Sequence, residues 1–212
     1  MNDELVLYTN PMSRGRIARW MLEEIGRPYR TEILDYGTTM KASAYLGLNP
    51  MGKVPTLRHG ETAVTEAAAI CAYLADAFPE AGLAPAVGSP KRGPYYRWLF
   101  FAAGPVEHAL ADKALGFVVP EERRGIAGYG SFDDVVTVLD GLVSQSDHVL
   151  GATFSAVDVY LGSQIGWGLR FGMFPRLASF ERYWERVSTR PAAVRAREID
   201  DALVAEREAA KG

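Results

Sequence analysis

The sequence predicts a mixed α/β domain with the element order βαβαββα, followed by an all-α helical domain. Three observations predict this class. Short apolar runs alternate with amphipathic segments as far as residue 78. A stretch rich in proline, glycine and alanine follows at 79–93, and every later patterned segment has helical spacing. We therefore expect domains over residues 1–79 and 92–212.

The elements of the first domain follow from hydrophobic periodicity and turn residues. Predicted strands cover residues 4–8, 29–34, 56–58 and 62–65, and predicted helices cover 13–26, 40–46 and 66–78. The first helix carries apolar residues three and four positions apart and ends at Gly26. His59 and Gly60 make the turn between the last two strands. The order implies a small mixed sheet with a proline-led strand beside two helix N-termini, which is the thioredoxin-like plan.

The second domain is predicted to contain helices only. They cover residues 95–115, 132–145, 156–167, 177–189 and 192–211. Ser155 and Asp158 precede the apolar run 159–161 in the pattern of a capping box. In that motif the serine oxygen accepts from a helix-start amide, and the acidic side chain accepts from the amide of the cap residue. We expect both residues to stabilise the fold and to take no part in chemistry.

Composition excludes several classes of protein. A chain of 212 residues that is 48% hydrophobic can bury a large core. A net charge of −3 argues against binding to nucleic acid or to an anionic membrane, because there is no basic excess to displace counterions. No apolar run approaches the roughly 20 residues that a membrane span needs. Three histidines and one cysteine offer little to a metal, so we expect none.

The cellular compartment is predicted from the cysteine count and the first residues. A single cysteine allows no internal disulfide, which fits a reducing compartment. Asp3 and Glu4 stand where a targeting leader would carry basic residues and then an apolar core. We therefore expect a cytoplasmic protein.

The segment NPMGKVPTL, at 49–57, has the composition of a binding loop. Pro50 and Gly52 are turn residues that bring the chain round onto the start of a strand. Pro55 removes a backbone donor, so the main chain of Val54 is expected to point outward. An ordinary strand entry is the alternative interpretation, and the isomer of the bond between Val54 and Pro55 is left open.

Four segments together resemble the cytosolic glutathione transferases. They are LVLYTNPMSRGRIARWMLEEIG, NPMGKVPTL, TEAAAICAYLAD and FSAVDVYL, spaced as in that family along nearly the whole chain. The chain is most similar to the serine-using, theta- or phi-like bacterial branches. The resemblance implies a thioredoxin-like glutathione-binding domain, a helical domain that contributes the electrophile pocket, glutathione as co-substrate, and a homodimer.

The resemblance implies a hydroxyl donor that ionises the glutathione thiol, whose unperturbed pKa is about 8.5. Ser13 precedes the first helix, where a hydroxyl and a helix N-terminus both favour the thiolate, and we assign it this role. A simple helix cap is the alternative for Ser13. Tyr8 is the rival donor, because Arg19 and Trp20 on the following helix also resemble tyrosine-using branches.

The residues after the first strand leave a second reaction open. Asn10 is a lesser candidate for the donor. Thr9 followed by Asn10 is similar to branches that reduce disulfides, so glutathione-dependent disulfide reduction remains an alternative function.

The other groups of glutathione imply further binding residues. Val54 would pair through its main chain with the cysteinyl unit. Lys53, with Lys41 as a weaker second, would meet the glycyl carboxylate; a solvated surface position is the alternative for each, and is the more typical one for Lys41. Glu66 would take the γ-glutamyl ammonium, or simply complement the helix dipole. Ala67 stands where the family usually has serine, which removes one hydroxyl donor to a carboxylate.

The sequence says least about the second substrate, the electrophile. Met12, Phe101, His108 and Trp167 are candidates for an electrophile pocket, although a core or solvent position is more typical of each. Cys71 lies among apolar helix residues and is interpreted as a small buried hydrophobe. We expect conjugation of the glutathione thiolate to small hydrophobic electrophiles. Disulfide reduction and non-catalytic binding of a ligand or partner protein are the alternatives.

Overall fold

The computed structural model describes residues 3–210, which contain four β-strands and nine α-helices. The strands are β1 (Leu5–Thr9), β2 (Tyr29–Ile33), β3 (Thr56–His59) and β4 (Thr62–Thr65). The helices are α1 (Gly15–Ile25), α2 (Ser43–Leu46), α3 (Ala67–Ala77), α4 (Arg92–Phe101), α5 (Glu107–Leu115), α6 (Phe132–Gln145), α7 (Ala156–Arg170), α8 (Ala178–Ser188) and α9 (Pro191–Ala209). The predicted order βαβαββα, followed by helices, is confirmed. Lys211, the predicted end of the last helix, lies outside the described residues.

The chain divides into two compact units. The first comprises the residues up to Ala81 together with those from Arg190 onward, and the second comprises Gly82–Thr189. The prediction assigned 192–211 to the second domain, whereas α9 packs against α1 in the first unit. Helical periodicity shows that a segment is a helix but does not show which unit it contacts. The predicted domain boundaries, 1–79 and 92–212, stay a prediction, because compact units are defined by contacts and need not coincide with domains along the sequence.

The first unit contains one four-stranded sheet in the order β2-β1-β3-β4. β1 runs parallel to β2 and antiparallel to β3, and β3 and β4 form an antiparallel hairpin. The helices α1 and α3 contact each other and also contact β1 and β3. The core of this unit includes the buried side chains of Leu5, Leu7, Ile17, Met21, Leu22, Leu57, Ile70 and Leu74, and Val6 is buried on the opposite face of β1. Cys71 is fully buried in this core, and burial raises the pKa of its thiol.

A buried ion pair fixes α9 to α1. Arg19 Nε donates to Asp200 Oδ1 at 2.9 Å, and both side chains are buried. Arg19 Nη1 also donates to the Tyr29 hydroxyl and to Thr31 Oγ1, each at 3.2 Å. Burial raises the pKa of Asp200, and burial together with a hydrogen bond to Glu23 raises the pKa of Tyr29 to about 12. The resemblance gave Arg19, with Trp20, as a mark of tyrosine-using branches, and the observed contacts of Arg19 lie in this ion-pair network.

The second unit is a helical cluster in which α4 and α5 are joined by a π-helical turn at Ala102–Val106. The prediction had one uninterrupted helix over 95–115. Pro105 lies inside the turn, where a residue without an amide proton cannot continue the regular hydrogen-bond ladder. The helix α7 is buried along most of its length. A Cβ added at Gly166 would lie 2.7 Å from the Trp184 ring, so this glycine permits a close approach of α8.

The predicted capping box at the start of α7 is confirmed. The Ser155 amide donates to Asp158 Oδ2 at 2.9 Å. Asp158 Oδ1 also accepts from the Val149 amide at 2.8 Å and from the Tyr183 hydroxyl at 2.9 Å. The carboxyl is fully buried, and burial is the main cause that raises its pKa. Asp158 therefore connects three separate segments of the second unit. A second capping box, Ser131 with Asp134 at the start of α6, was not predicted.

We expect Ser155→Ala combined with Asp158→Ala to lower the free energy of unfolding by about 3 kcal/mol, because buried donors lose their acceptor. Turnover per folded molecule should stay near that of the parent at low temperature. Chemical denaturation followed by an activity assay measures both. The double variant Ser131→Ala with Asp134→Ala is the matched control, since its capping box is exposed and should cost less. Loss of activity with unchanged stability would place Asp158 in the active site instead.

Candidate active site

The register of the sheet brings three segments of the first unit to one edge. Tyr8 pairs with Thr56 across β1 and β3, and Thr56 pairs with Thr65 across β3 and β4. The end of β1, the start of β3 and the end of β4 therefore lie side by side. The functional edge, as we name it, comprises residues 10–14, 49–55 and 66–67. It carries six of the predicted site residues, namely Met12, Ser13, Lys53, Val54, Glu66 and Ala67, together with the lesser donor candidate Asn10.

Ser13 lies half-buried at the N-terminus of α1. Its hydroxyl donates to the Asn10 carbonyl at 2.7 Å, and its oxygen accepts from the Gly15 amide at 2.9 Å. The Ser13 amide donates to the same Asn10 carbonyl at 3.1 Å. Ser13 thus binds the first amide of α1 through its oxygen, although the residue at the cap position is Arg14, whose side chain makes no cap bond. The donor role stays a prediction, and it is compatible with this contact because the Gly15 bond uses the oxygen and not the hydroxyl proton.

The start of α1 requires a glycine. A Cβ added at Gly15 would lie 1.8 Å from Thr9 Oγ1 and 3.0 Å from Ser13 Oγ. Two hydroxyl oxygens thus approach the first helical residue. Thr9 Oγ1 is buried and has no hydrogen-bond partner within 3–210. The close contact explains why the sequence has glycine at a position where other residues would be better helix formers.

The two rival donors have different surroundings. Tyr8 is half-buried with its ring 5.7 Å from that of Tyr45, and no residue of the described chain hydrogen-bonds its hydroxyl. Asn10 uses its side chain to shape the loop, since Nδ2 donates to the Leu34 carbonyl at 2.7 Å and Oδ1 accepts from the Met12 amide at 3.0 Å. Tyr8 therefore remains an alternative donor, whereas the Asn10 amide already has structural partners.

The loop before β3 presents the main chain of Val54. The bond between Val54 and Pro55 is cis. The preceding Lys53 carbonyl accepts from the Tyr45 hydroxyl and from Asn49 Nδ2, the latter at 2.8 Å. These bonds fix the loop on one side. The amide and carbonyl of Val54 have no hydrogen-bond partner among the described residues, so they are available to a ligand.

The two predicted lysines differ in their contacts. Lys53 is exposed and forms no ion pair within the described part of the chain. Lys41 Nζ donates to the Met51 carbonyl at 2.9 Å, so this ammonium supports the loop. Gly52 has a φ of 56°, and a Cβ there would lie 2.7 Å from the Met40 carbonyl. The tight turn therefore depends on glycine and brings Lys41 beside the loop.

The start of α3 combines the exposed carboxylate of Glu66 with backbone amides that no side chain caps. Glu66 precedes the helix with a φ of 66°, a positive value that is strained for a residue with a side chain. Ala67, the first residue of α3, is buried, and no side chain caps this helix. Its first amides and dipole thus face the functional edge without a protein acceptor. This arrangement suits an anionic ligand group.

The candidates for the electrophile pocket lie in both units. Met12 is 75% exposed on the functional edge of the first unit. In the second unit, His108 is exposed on α5, and Trp167 is half-buried on α7. Phe101, at the end of α4, is half-buried with its ring edge-on to Trp98 at 5.5 Å. The pocket itself stays a prediction.

Residues 3–210 contain neither a metal-binding cluster nor a helix fit to span a membrane. No group of three or more histidine, cysteine, aspartate or glutamate side chains in this range could hold a metal ion. None of its helices has the length and apolar character of a membrane span.

Sequence reasoning missed the residues that hold the loops. Tyr45 and Asn49 support the Lys53 carbonyl, and Asn10 supports the loop before α1. The sequence did carry a signal for both asparagines, because each is followed directly by proline. Asn-Pro pairs favour turns in which the asparagine side chain hydrogen-bonds the backbone, so they could have predicted this supporting role. No comparable signal marked Tyr45, whose partner is eight residues away.

Comparisons with known proteins agree with this geometry. Residues 12–77 match the family model for the N-terminal domain of glutathione S-transferase. A glutathione S-transferase of Xanthomonas campestris is 28% identical over 189 residues, which cover 85% of this chain and 91% of that protein.

Solved structures extend the likeness to nearly the whole chain. A glutathione transferase of Methylococcus capsulatus is 28% identical with a TM-score of 0.76, covering 93% of this chain and 99% of that one. A sphingomonad glutathione S-transferase complexed with glutathione is 28% identical with a TM-score of 0.74, covering 92% and 98%. The match over the N-terminal domain and the similarity of nearly the whole chain to glutathione transferases together support a member of the cytosolic glutathione transferase family.

Proposed function

We propose that the protein is a glutathione transferase that joins the thiolate of glutathione to small hydrophobic electrophiles. One observation carries this proposal. The sheet register gathers three groups at one edge. They are the Ser13 hydroxyl at the start of α1, the main chain of Val54, and the N-terminus of α3, which no side chain caps. These groups complement the thiol, the peptide-like centre and the γ-glutamyl carboxylate of glutathione. The relatives named glutathione S-transferase support the same activity.

Ser13 can donate to a thiolate without leaving a buried group unpaired. When its hydroxyl proton turns to the sulfur, the Asn10 carbonyl keeps the bond from the Ser13 amide at 3.1 Å. The Gly15 amide continues to donate to the serine oxygen, which polarises the hydroxyl and strengthens it as a donor. The thiol proton leaves to solvent. The sulfur electron pair then bonds to the electrophilic carbon, and the leaving group departs with the electrons of the broken bond.

The remaining groups of glutathione have matching partners along the functional edge. The Val54 amide and carbonyl would pair with the cysteinyl unit, and the amides at Ala67 would bind the γ-glutamyl carboxylate. Glu66 is exposed and would take the ammonium. Lys53 would meet the glycyl carboxylate, with Lys41 acting at longer range because it already donates to Met51.

Two other activities have specific support. The pair Thr9 and Asn10, which resembles branches that reduce disulfides, favours a glutathione-dependent disulfide reductase as second candidate. Ala67 in place of a hydroxyl residue favours non-catalytic binding of a ligand or partner. We further propose a cytoplasmic homodimer that acts without metal and binds neither nucleic acid nor membranes.

Retention on immobilised glutathione, followed by assays with a generic aryl halide and with a glutathione mixed disulfide, tests these activities. We expect retention and conjugation of the aryl halide. Turnover of the mixed disulfide alone would favour the reductase. Retention without either turnover would indicate a binding protein, and failure of retention and of both reactions would contradict the glutathione site.

We expect Ala67→Ser to tighten glutathione binding by up to about 1.5–3 kcal/mol, because it adds a hydrogen bond to a charged carboxylate. Isothermal calorimetry measures the affinity. Ala69→Ser is the matched control, since it makes the same change in the first turn of α3 at an exposed position. Unchanged affinity for Ala67→Ser would mean that the carboxylate lies elsewhere or that the natural ligand is another thiol.

A further inference from the structure

Arg16 connects the loop that carries Ser13 to the last helix. Its Nε donates to the Pro11 carbonyl at 2.5 Å, and its Nη1 donates to Asp201 on α9 at 2.7 Å. Pro11 is two residues before Ser13 and is buried. One planar guanidinium thus spans the loop and α9, a geometry that lysine cannot reproduce with a single ammonium.

The position of Arg16 is locally unfavourable. It is the second residue of α1, where the helix dipole favours an acidic side chain, and the first turn of α1 contains none. An exposed ion pair with Asp201, whose side chain is 58% exposed, contributes little to stability. The stability of the fold therefore does not explain this arginine. Its contact with the Pro11 carbonyl does give it a local role, which is to hold the loop.

A second contact of α9 reaches the neighbouring loop. Arg207, near the end of α9, forms an ion pair with Asp35. The residue before it, Leu34, accepts through its carbonyl from Asn10 Nδ2 at 2.7 Å. Both sides of the loop at 10–14 are therefore connected to α9, directly through Arg16 and indirectly through Asn10.

We infer that α9 positions the donor loop, with Arg16 as the positioning residue and Asp201 as its anchor. The inference rests on the proposed function and concerns the same site. Asp201 orients the guanidinium, the guanidinium fixes the Pro11 carbonyl, and the loop then holds the Ser13 hydroxyl at the N-terminus of α1. The charge of Arg16 also adds to the positive field at that helix end, which favours a thiolate.

Arg195 provides a matched control. It lies on α9 and binds one carboxylate and one main-chain carbonyl of α1, since Nε donates to Glu23 Oε2 at 3.1 Å and Nη2 to the Glu23 carbonyl at 3.3 Å. Its contacts are of the same type as those of Arg16 but do not reach the donor loop. Arg16→Lys and Arg195→Lys therefore both keep the charge and lose the forked geometry.

Two measurements on these variants test the inference. Hydrogen exchange of the ligand-free protein should show faster exchange of the amides at 12–15 in Arg16→Lys, and no change there in Arg195→Lys. With glutathione and an aryl halide, Arg16→Lys should lower kcat by about fivefold, or about 1 kcal/mol, and shift the pH–rate profile upward. Asp201→Ala should change both quantities in the same direction.

The outcomes separate this inference from the proposed function. If the amides at 12–15 exchange at the same rate in Arg16→Lys as in the parent, the positioning role is overturned, even if the parent conjugates glutathione normally. Faster loop exchange with unchanged kcat and pH profile would also overturn it, since the loop would then not govern the chemistry. A parent that neither binds nor conjugates glutathione would instead contradict the proposed function, while the exchange data would still report on the loop.

Discussion

Ser13→Ala is expected to lower turnover at least tenfold, about 1.4 kcal/mol of transition-state free energy. The variant removes the hydroxyl that lies at the N-terminus of α1, so the thiolate loses a donor and the apparent pKa of the bound thiol rises. A pH–rate series with saturating glutathione measures both effects. The helix should stay folded, because losing one hydrogen bond to the Gly15 amide costs only about 0.5–2 kcal/mol.

Tyr8→Phe is the matched control for the donor. It removes a hydroxyl at the end of β1 that no described residue hydrogen-bonds, and it keeps the aromatic contact with Tyr45. We expect turnover and the pH profile to stay near those of the parent. A large loss in Tyr8→Phe, together with a small loss in Ser13→Ala, would transfer the donor role to Tyr8.

Asp200→Ala is expected to lower the free energy of unfolding by about 3–5 kcal/mol, because it leaves the buried charge of Arg19 without its partner. Denaturant unfolding monitored by circular dichroism measures the loss. Breaking the pair should also loosen α9 from α1, since the side chains that α9 buries besides Asp200 are the small ones of Ala192, Ala193 and Ala196.

Asp201→Ala is the stability control, because it removes an aspartate one position further along α9 whose side chain is 58% exposed. Exposed ion pairs contribute about 0–1 kcal/mol, so this variant should be nearly as stable as the parent. Equal losses in the two variants would show that Arg19 and Asp200 do not form the main connection between α9 and α1.

The first unit could be predicted from the sequence because its signals are local. Apolar runs of four or five residues, Gly26 at a helix end and the turn at His59 and Gly60 each act within a few residues. The capping box at Ser155 was recognisable for the same reason, since its two members lie three residues apart.

The contacts that join α9 to α1 are distant in sequence and could not be predicted. Arg19 and Asp200 are 181 residues apart, and their pairing depends on where α9 packs. The same holds for Arg16 and Asp201, which are 185 residues apart. The periodicity of apolar residues predicts that each of these residues lies on a helix, but it does not predict which distant residue that helix packs against. Pro105 signals an irregular helix, yet its local pattern does not specify a π-helical turn.

The ultraviolet difference titration of glutathione bound to the parent protein tests the central claim most directly, because it reports the ionisation of the thiol at the functional edge. The account predicts a titration midpoint roughly one to two pH units below the unperturbed value of about 8.5, and a midpoint closer to that value in Ser13→Ala. A midpoint at the unperturbed value in the parent, with glutathione bound, would contradict the account.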